Sequence, residues 1–306
     1  MNTIIQTAVK RRYDYRSLRE KMDVVGDTSS AVDLNIVIGI RGRREYLATT
    51  VKHMNEARKM SKIKTRLVVV EMDECPLNRD IDADVYIFVP ASQTNTDNMY
   101  SRALAFNIGY YINSRSKYYL FHDCDIVVPV NFFEVIENSY IKDDFRWLQT
   151  FSKKRLLMLD RKSTEDVFKG EMSIEESSHY PAQSGAAGGS TLVSKQTFES
   201  VGGFDPELFF GYAPEDSMFL TKLACLEKAI DEISSCHQLG PEHYADDPPI
   251  EMYHLYHKTM SQENPLFLKM TKIHGEYWSQ SYCQKMEYIE YKRSLLIEDN
   301  QRVSIK

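Results

Sequence analysis

The sequence predicts an α/β fold with a central, mostly parallel sheet flanked by helices. Short runs rich in β-branched or aromatic residues recur at 33–40, 67–70, 85–89 and 118–121, and helical apolar spacing fills the intervals before the second and fourth of them. The resulting order, strand, helix, strand, strand, helix, strand, is that of parallel strands joined by covering helices, and such sheets bind ligands beyond the carboxyl ends of their strands.

The run at 33–40 reads as a buried first strand because β-branched residues dominate it and a Gly/Arg turn follows at once. Leu47, Val51 and Met54 recur at helical spacing within 45–59, which lays that helix on one face of the sheet. Pro90 ends the strand at 85–89. Met99, Ala103, Phe106 and Tyr110 mark the second helix, and the strand at 118–121 carries Asp123 and Asp125 at its carboxyl end. Residues 153–180 are polar, mixed in charge and weakly periodic, so a surface excursion is expected there rather than part of the sheet. After the small-residue run at 184–190 the pattern gives a short strand, a helix near 194–201 and a stop at Gly202–Gly203. Another helix starts at Glu215 or Asp216, since Phe219, Leu223, Leu226 and Ile230 form one stripe and the acidic pair fills its first turn. The tail at 277–297 reads as a helix packed on the core. The expected organisation is a basic extension at 1–32, one catalytic domain at 33–265, and a helical extension at 266–306.

A composition of 42% hydrophobic and 27% charged residues is that of an ordinary folded chain, and a net charge of -6 argues against a nucleic-acid partner. The cluster Lys10, Arg11, Arg12, Arg16, Arg19 and Lys21 surrounds no apolar core of signal-peptide length, and no stretch reaches the ~18 apolar residues of a membrane span. A cytoplasmic protein is expected, with that basic segment as its route to peripheral contact with the inner face of a membrane. The five scattered cysteines form no metal-binding knuckles and fit a reducing compartment.

Asp123 and Asp125, one residue apart just after a buried strand, can present oxygen ligands to a divalent ion in a fixed direction. Asp80, Asp82 and Asp84 share that spacing but precede a strand and read as a solvated turn. For Glu215 and Asp216, a place at a helix start favours the ionised form that a general base requires. Arg41, Arg43 and Arg102 offer guanidinium forks to phosphate oxygens, or serve as surface ion-pair residues. Gly188 and Gly189 imply a close backbone approach, while the phosphate-loop and dinucleotide-binding glycine patterns are missing, which argues against an ATPase or a nicotinamide-dependent oxidoreductase.

In order along the chain, several segments resemble the GT-A glycosyltransferases, especially the β-1,4-galactosyltransferases and more distantly the polypeptide N-acetylgalactosaminyltransferases and chondroitin-synthesising enzymes. They are Ile38-Gly39-Ile40-Arg41-Gly42-Arg43, Ser101-Arg102-Ala103, Asp123-Cys124-Asp125, the stretch 188–198, Gly203-Phe204, and Phe210-Gly211-Tyr212-Ala213-Pro214-Glu215-Asp216. The resemblance spans about residues 35–265 and implies a GT-A-like single catalytic domain. It implies metal ligation by Asp125 and His254, with Asp123 either sharing the metal or binding the donor ribose and a metal-bound water. Mn²⁺ is the expected ion, with Mg²⁺ as the second choice. Arg41, Arg43, Arg102, Asp123, Gly189 and Tyr212 then belong to the donor site, Tyr212 standing where the family has an active-site Trp. Asp216 aligns with the catalytic base and Glu215 with the acidic residue that helps hold the acceptor. His257 is expected outside the first metal shell. Pro214 replaces a family glycine and should stiffen the segment, so no large lid movement is expected. The function implied is inverting transfer of galactose or a related hexose or hexosamine from a UDP-sugar to a saccharide hydroxyl. The alternatives are a retaining UDP-hexosamine transferase, a sugar nucleotidyltransferase and a noncatalytic carbohydrate-binding protein.

Overall fold

The computed structural model describes residues 3–10, 12–94, 98–112, 114–142, 145–152, 154–182, 188–227, 245, 248–258 and 265–304. Arg11, Ser184–Ala187, Ile230 and Cys236, which figure in the sequence reading, lie outside the described residues. The chain opens with α1 (Thr3–Val9), α2 (Tyr15–Arg19) and β1 (Asp23–Gly26), and continues through β2 (Leu34–Ile40), α3 (Arg44–Lys59), β3 (Thr65–Asp73), β4 (Val85–Pro90), α4 (Arg102–Ile112) and β5 (Tyr118–Asp123). From β2 to β5 this is the expected order. There follow β6 (Ile126–Val127), α5 (Phe132–Val135), β7 (Trp147–Gln149), β8 (Leu156–Leu159), α6 (Arg161–Lys169), β9 (His179–Pro181), β10 (Ser190–Ser194), α7 (Lys195–Ser200), α8 (Glu215–Glu227), β11 (Met252–His254), α9 (Pro265–Trp278) and α10 (Tyr282–Ser304).

The architecture is an α/β domain with a central mixed sheet flanked by helices. Its seven strands lie in the order β1-β4-β3-β2-β5-β10-β7, parallel from β4 to β5, with β1, β10 and β7 entering antiparallel. Every residue of β2 is buried, because helices cover both faces of the sheet. Val37, Val68, Val70 and Phe121 point to the side of α4 and α8, while Ile36, Ile38, Leu67 and Val69 point to the side of α3, where Leu47, Val51 and Met54 meet them. Burying each such side chain contributes about 1.5–3 kcal/mol, so the strands that lead to Asp123 sit in the best-anchored part of the molecule.

Two expectations need correcting. Residues 153–180 are not a plain surface excursion: β8 and β9 from this stretch join β6 and β11 in a second, four-stranded sheet of order β6-β11-β8-β9. Its short apolar run Leu156–Leu159 is largely buried but too brief to stand out from its polar surroundings. The C-terminal tail is two helices rather than one. Ser281 and Gln284 form a capping box, Gln284 N–H donating to Ser281 Oγ at 3.3 Å and Ser281 N–H to Gln284 Oε1 at 3.0 Å, so α10 starts anew after Tyr277 has ended in α9. Among the described residues no helix is long and apolar enough to cross a membrane.

The N-terminal segment is woven into this body. Strand β1 pairs with β4, and Ile4, Ile5 and Ala8 of α1 pack with Leu208, Phe209, Phe210, Met218, Met270, Tyr277 and Tyr288 in a satellite core. The apolar face of α1 is thereby used inside the protein.

Candidate functional site

The carboxyl end of β5 is fixed by hydrogen bonds before any ligand is considered. His122 is fully buried between Ile126 O and Ser190 Oγ, each at 2.8 Å. A carbonyl can only accept, so Nε2–H donates to Ile126 and Nδ1 accepts from the Ser190 hydroxyl. Burial pushes the imidazole down to about 4, which keeps it neutral and fit for that arrangement. Asp123 N–H donates to Gly189 O at 2.7 Å, and Thr50 Oγ donates to Cys124 O at 2.8 Å. The turn that carries both aspartates is therefore held from β10, α3 and β6.

Asp125 is buried and lies among three cationic or potentially cationic groups. Arg43 Nη1 donates to its Oδ2 at 2.6 Å, His257 Nε2 lies 3.2 Å from the same oxygen, and His254 Nε2 lies 4.0 Å from Oδ1. Burial alone would raise this carboxyl, but the hydrogen bond from His257 and the charges of His254, His257 and Arg43 hold it well below the usual carboxylate range. Ligand atoms of Asp125, His254 and His257 all lie within 4.8 Å of one another. His254 Nδ1 is buried and has no hydrogen-bond partner among the described residues. Burial lowers the His254 imidazole, while the hydrogen bond to Asp125 raises that of His257. One carboxylate and two imidazoles, one of them with an unsatisfied ring nitrogen, form a donor set that fits a borderline ion such as Mn²⁺.

Beside it stands a second acidic group. Arg102, the first residue of α4, meets a different carboxylate with each of its three nitrogens: Nε with Glu215 at 2.6 Å, Nη2 with Asp216 at 3.0 Å, and Nη1 with Asp123. Burial raises the Glu215 carboxyl against the pull of Arg102, and it raises Asp123 in the same way, with Asp125 and Asp216 adding to that rise. Glu215 Oε2 is buried and unpaired among the described residues. Asp216 is the more open of the helix-start pair, with 20% of its side chain exposed against 7% for Glu215. Gly188 approaches it so closely, at a φ of 82°, that any side chain there would strike the Asp216 carboxylate.

The remaining sequence candidates are distributed around this centre. Arg43 reaches Asp125 from a left-handed backbone position, φ 50°, directly after Gly42. Arg41 instead pairs with Asp73 at 3.7 Å and donates to Asn98 O. Gly189 packs against Ile126 and Phe151, and its role on view is the carbonyl that receives Asp123 N–H. Tyr212 is 41% exposed and stacks on Phe267 of α9, with ring centroids 5.0 Å apart. Sequence reasoning passed over His122, Asp73 and the place of His257 beside Asp125. No local signal places His257 there: the segment after β11 is not helical, and with Leu255 buried it turns His254 and His257 toward the same carboxylate.

No protein-family model matches the sequence, and no curated protein matches it either. Solved structures with a similar outline include the catalytic domain of Drosophila β1,4-galactosyltransferase 7 in complex with xylobiose, at 16% identity over 76% of this chain and 78% of that one, with a TM-score of 0.40. A mannosyltransferase from Pyrobaculum calidifontis in complex with GDP-Man and Mn²⁺ matches at 10% identity over 99% of this chain and 90% of that one, with a TM-score of 0.42. Glucosyl-3-phosphoglycerate synthase from Mycobacterium tuberculosis, in complex with Mn²⁺, UDP and glucosyl-3-phosphoglycerate, matches at 10% identity over 87% of this chain and 84% of that one, with a TM-score of 0.44.

Proposed function

We propose that this chain is a metal-dependent, inverting glycosyltransferase that moves galactose or a related hexose or hexosamine from a UDP-sugar to a saccharide hydroxyl. The observation that carries the reading is the meeting of two acidic motifs far apart in sequence, Asp123–Asp125 and Glu215–Asp216, at one end of the sheet, with His254 and His257 beside Asp125. The ordered sequence motifs supply the reaction class.

Asp125, His254 and His257 would hold the ion, and Arg43, 41% exposed, can leave Asp125 for a phosphate oxygen. A divalent ion bound there supplies charge that stabilises the departing nucleoside diphosphate. Asp216 takes the proton of the acceptor hydroxyl as its oxygen forms the bond to the anomeric carbon. The bond from that carbon to the UDP oxygen breaks on the opposite side and its electron pair leaves with UDP. Glu215, next to Asp216 at the start of α8, helps hold the acceptor, and Tyr212, exposed at the loop before it, presents an apolar ring face to a sugar. A carbohydrate-binding protein without catalysis would not need a carboxylate pair facing a metal site.

Calorimetry with UDP and UDP-galactose, with Mn²⁺ and after chelation, tests the reading together with UDP release from UDP-galactose. Metal-dependent affinity and turnover are expected. Turnover undiminished in metal-free protein, or no affinity for either nucleotide with Mn²⁺ present, would reject it.

A further inference from the structure

Arg102 stands among three carboxylates that belong to different parts of the site. Its backbone is fixed from two directions. Ser101 Oγ accepts Leu104 N–H at 3.2 Å and donates to Phe209 O at 3.1 Å, and Gly211 N–H donates to Tyr100 O at 2.6 Å. The start of α4 is thus bolted to the loop that leads into α8, and the guanidinium projects from this joint with 19% of its side chain exposed. Its planar fork then dictates the spacing of the groups it meets, since Nε, Nη1 and Nη2 each take a carboxylate of their own.

We propose that Arg102 is a positioning residue that ties Asp123, on the donor side, to Glu215 and Asp216, on the acceptor side, and so sets where the base stands relative to the donor. This rests on the transferase reading above and assigns Arg102 a task other than binding phosphate. Each of the three guanidinium nitrogens already meets a carboxylate of the protein, so the fork is occupied before a pyrophosphate arrives. Arg41 and Arg43 are more exposed, at 28% and 41% of the side chain, and face Asp73 and Asp125 respectively, so they are better placed to receive an anion. A lysine at 102 would keep the charge but lose the fork, because an ammonium is a point donor on a flexible stem. Loss of the fork should change the geometry of Asp216 and leave nucleotide affinity nearly untouched.

The experiment compares wild type, Arg102→Lys, Asp216→Asn and the double variant, with UDP and UDP-galactose in Mn²⁺ as probes and hydrolysis of UDP-galactose as turnover. Wild type without affinity for UDP overturns the transferase reading itself, a failure visible before Arg102 is touched. Given wild-type binding, Arg102→Lys is expected to lower kcat by about 10²-fold or more, within the range of general-base catalysis, at a donor KM and UDP affinity changed less than about threefold. In the Asp216→Asn background the same substitution should lower kcat by less than about threefold more, because a residue that acts through Asp216 has little left to act on. UDP affinity reduced about tenfold or more makes Arg102 a phosphate ligand and overturns the proposal; so does a kcat within about threefold of wild type, or a double variant in which the two losses multiply. Arg102→Ala with added guanidinium provides a further readout: rescue of kcat supports positioning, since a free guanidinium can refill the space between the carboxylates, and rescue of UDP affinity without kcat contradicts it. Circular dichroism and urea midpoints confirm that the variants fold, and the lysine variant carries the test if the alanine variant does not.

Discussion

The cluster around Asp125 and the pair Glu215–Asp216 are both acidic and adjacent in space, yet they are held up differently. Asp125 follows β5, a strand buried in the middle of the sheet; His122 belongs to that same strand, and Arg43 follows β2, the strand beside it. Glu215 and Asp216 begin a helix whose approach, residues 203–214, rests on the satellite core made by α1, α9 and α10. Beneath that approach Lys222, fully buried, pairs with Asp205 at 2.7 Å and donates to Gly203 O at 2.6 Å, and Tyr288 Oη donates to Asp205 at 2.7 Å. Charges buried this way are tolerable only because each is paired, so removing one partner should cost more than its exposed equivalent. One half of the site is supported by the sheet; the other is supported by chain segments from both ends of the sequence.

The largest expected effects separate the halves by what they abolish. Asp125→Asn should remove metal-dependent UDP affinity, whereas Asp216→Asn should leave UDP affinity intact and cut turnover by at least ~10²-fold. Equal loss of UDP affinity in both variants, measured by calorimetry, would erase the distinction. Next comes support. Phe209, 1% exposed in the satellite core, should cost about 3–5 kcal/mol when changed to Ala, seen as a lower urea midpoint. In the fraction that stays folded, Mn²⁺ affinity in the presence of UDP should hold; a loss as large as that of Asp125→Asn would mean that the two halves are one mechanical unit.

Within the Asp125 cluster, His254→Ala and His257→Ala should each weaken Mn²⁺ by more than ~100-fold if both are direct ligands, because the loss of an outer partner costs only ~10- to 100-fold. A small effect for His257 beside a large one for His254 returns His257 to the outer position that the family resemblance implies. The smallest effect per group is alkaline. Burial raises Tyr15, Tyr111, Tyr277 and Tyr288 well above their ordinary value of 10.0. Above that pH the unfolded chain sheds protons that the folded chain keeps, so stability present below pH 10 falls as pH rises, by about 1.4 kcal/mol per tyrosine per pH unit. Urea midpoints should decline from there upward, and Tyr288→Phe should decline less steeply than wild type; an identical slope would show that Tyr288 ionises as readily folded as unfolded.

The strands β2 to β5 and helices α3 and α4 were legible because their signal is local: β-branched runs bury themselves in strands, and Leu47, Val51 and Met54 show a helical face within one element. The second sheet was not legible, since β8 is short and pairs with β11, nearly a hundred positions away, while β9 is three exposed residues that pair, among the described residues, with β8 alone. Helix α10 lies between, for its Ser281–Gln284 box is present in the sequence but is set in a continuous mixture of aromatic, aliphatic and charged residues that hides the break.

The sequence by itself determined the chemistry available: which carboxylates, imidazoles and guanidiniums exist, and that Asp123 and Asp125 end a buried strand while Glu215 and Asp216 start a helix. Only the tertiary structure decided who meets whom. Arg102 in place among Asp123, Glu215 and Asp216, and His257 beside Asp125, are contacts between residues tens to more than a hundred positions apart. Periodicity records how a residue relates to its neighbours along one element, and it carries no information about which face of another element will be packed against it. Arg102 could therefore be recognised as a guanidinium fork from the sequence, while its partners were set by the joint between α4 and the loop entering α8.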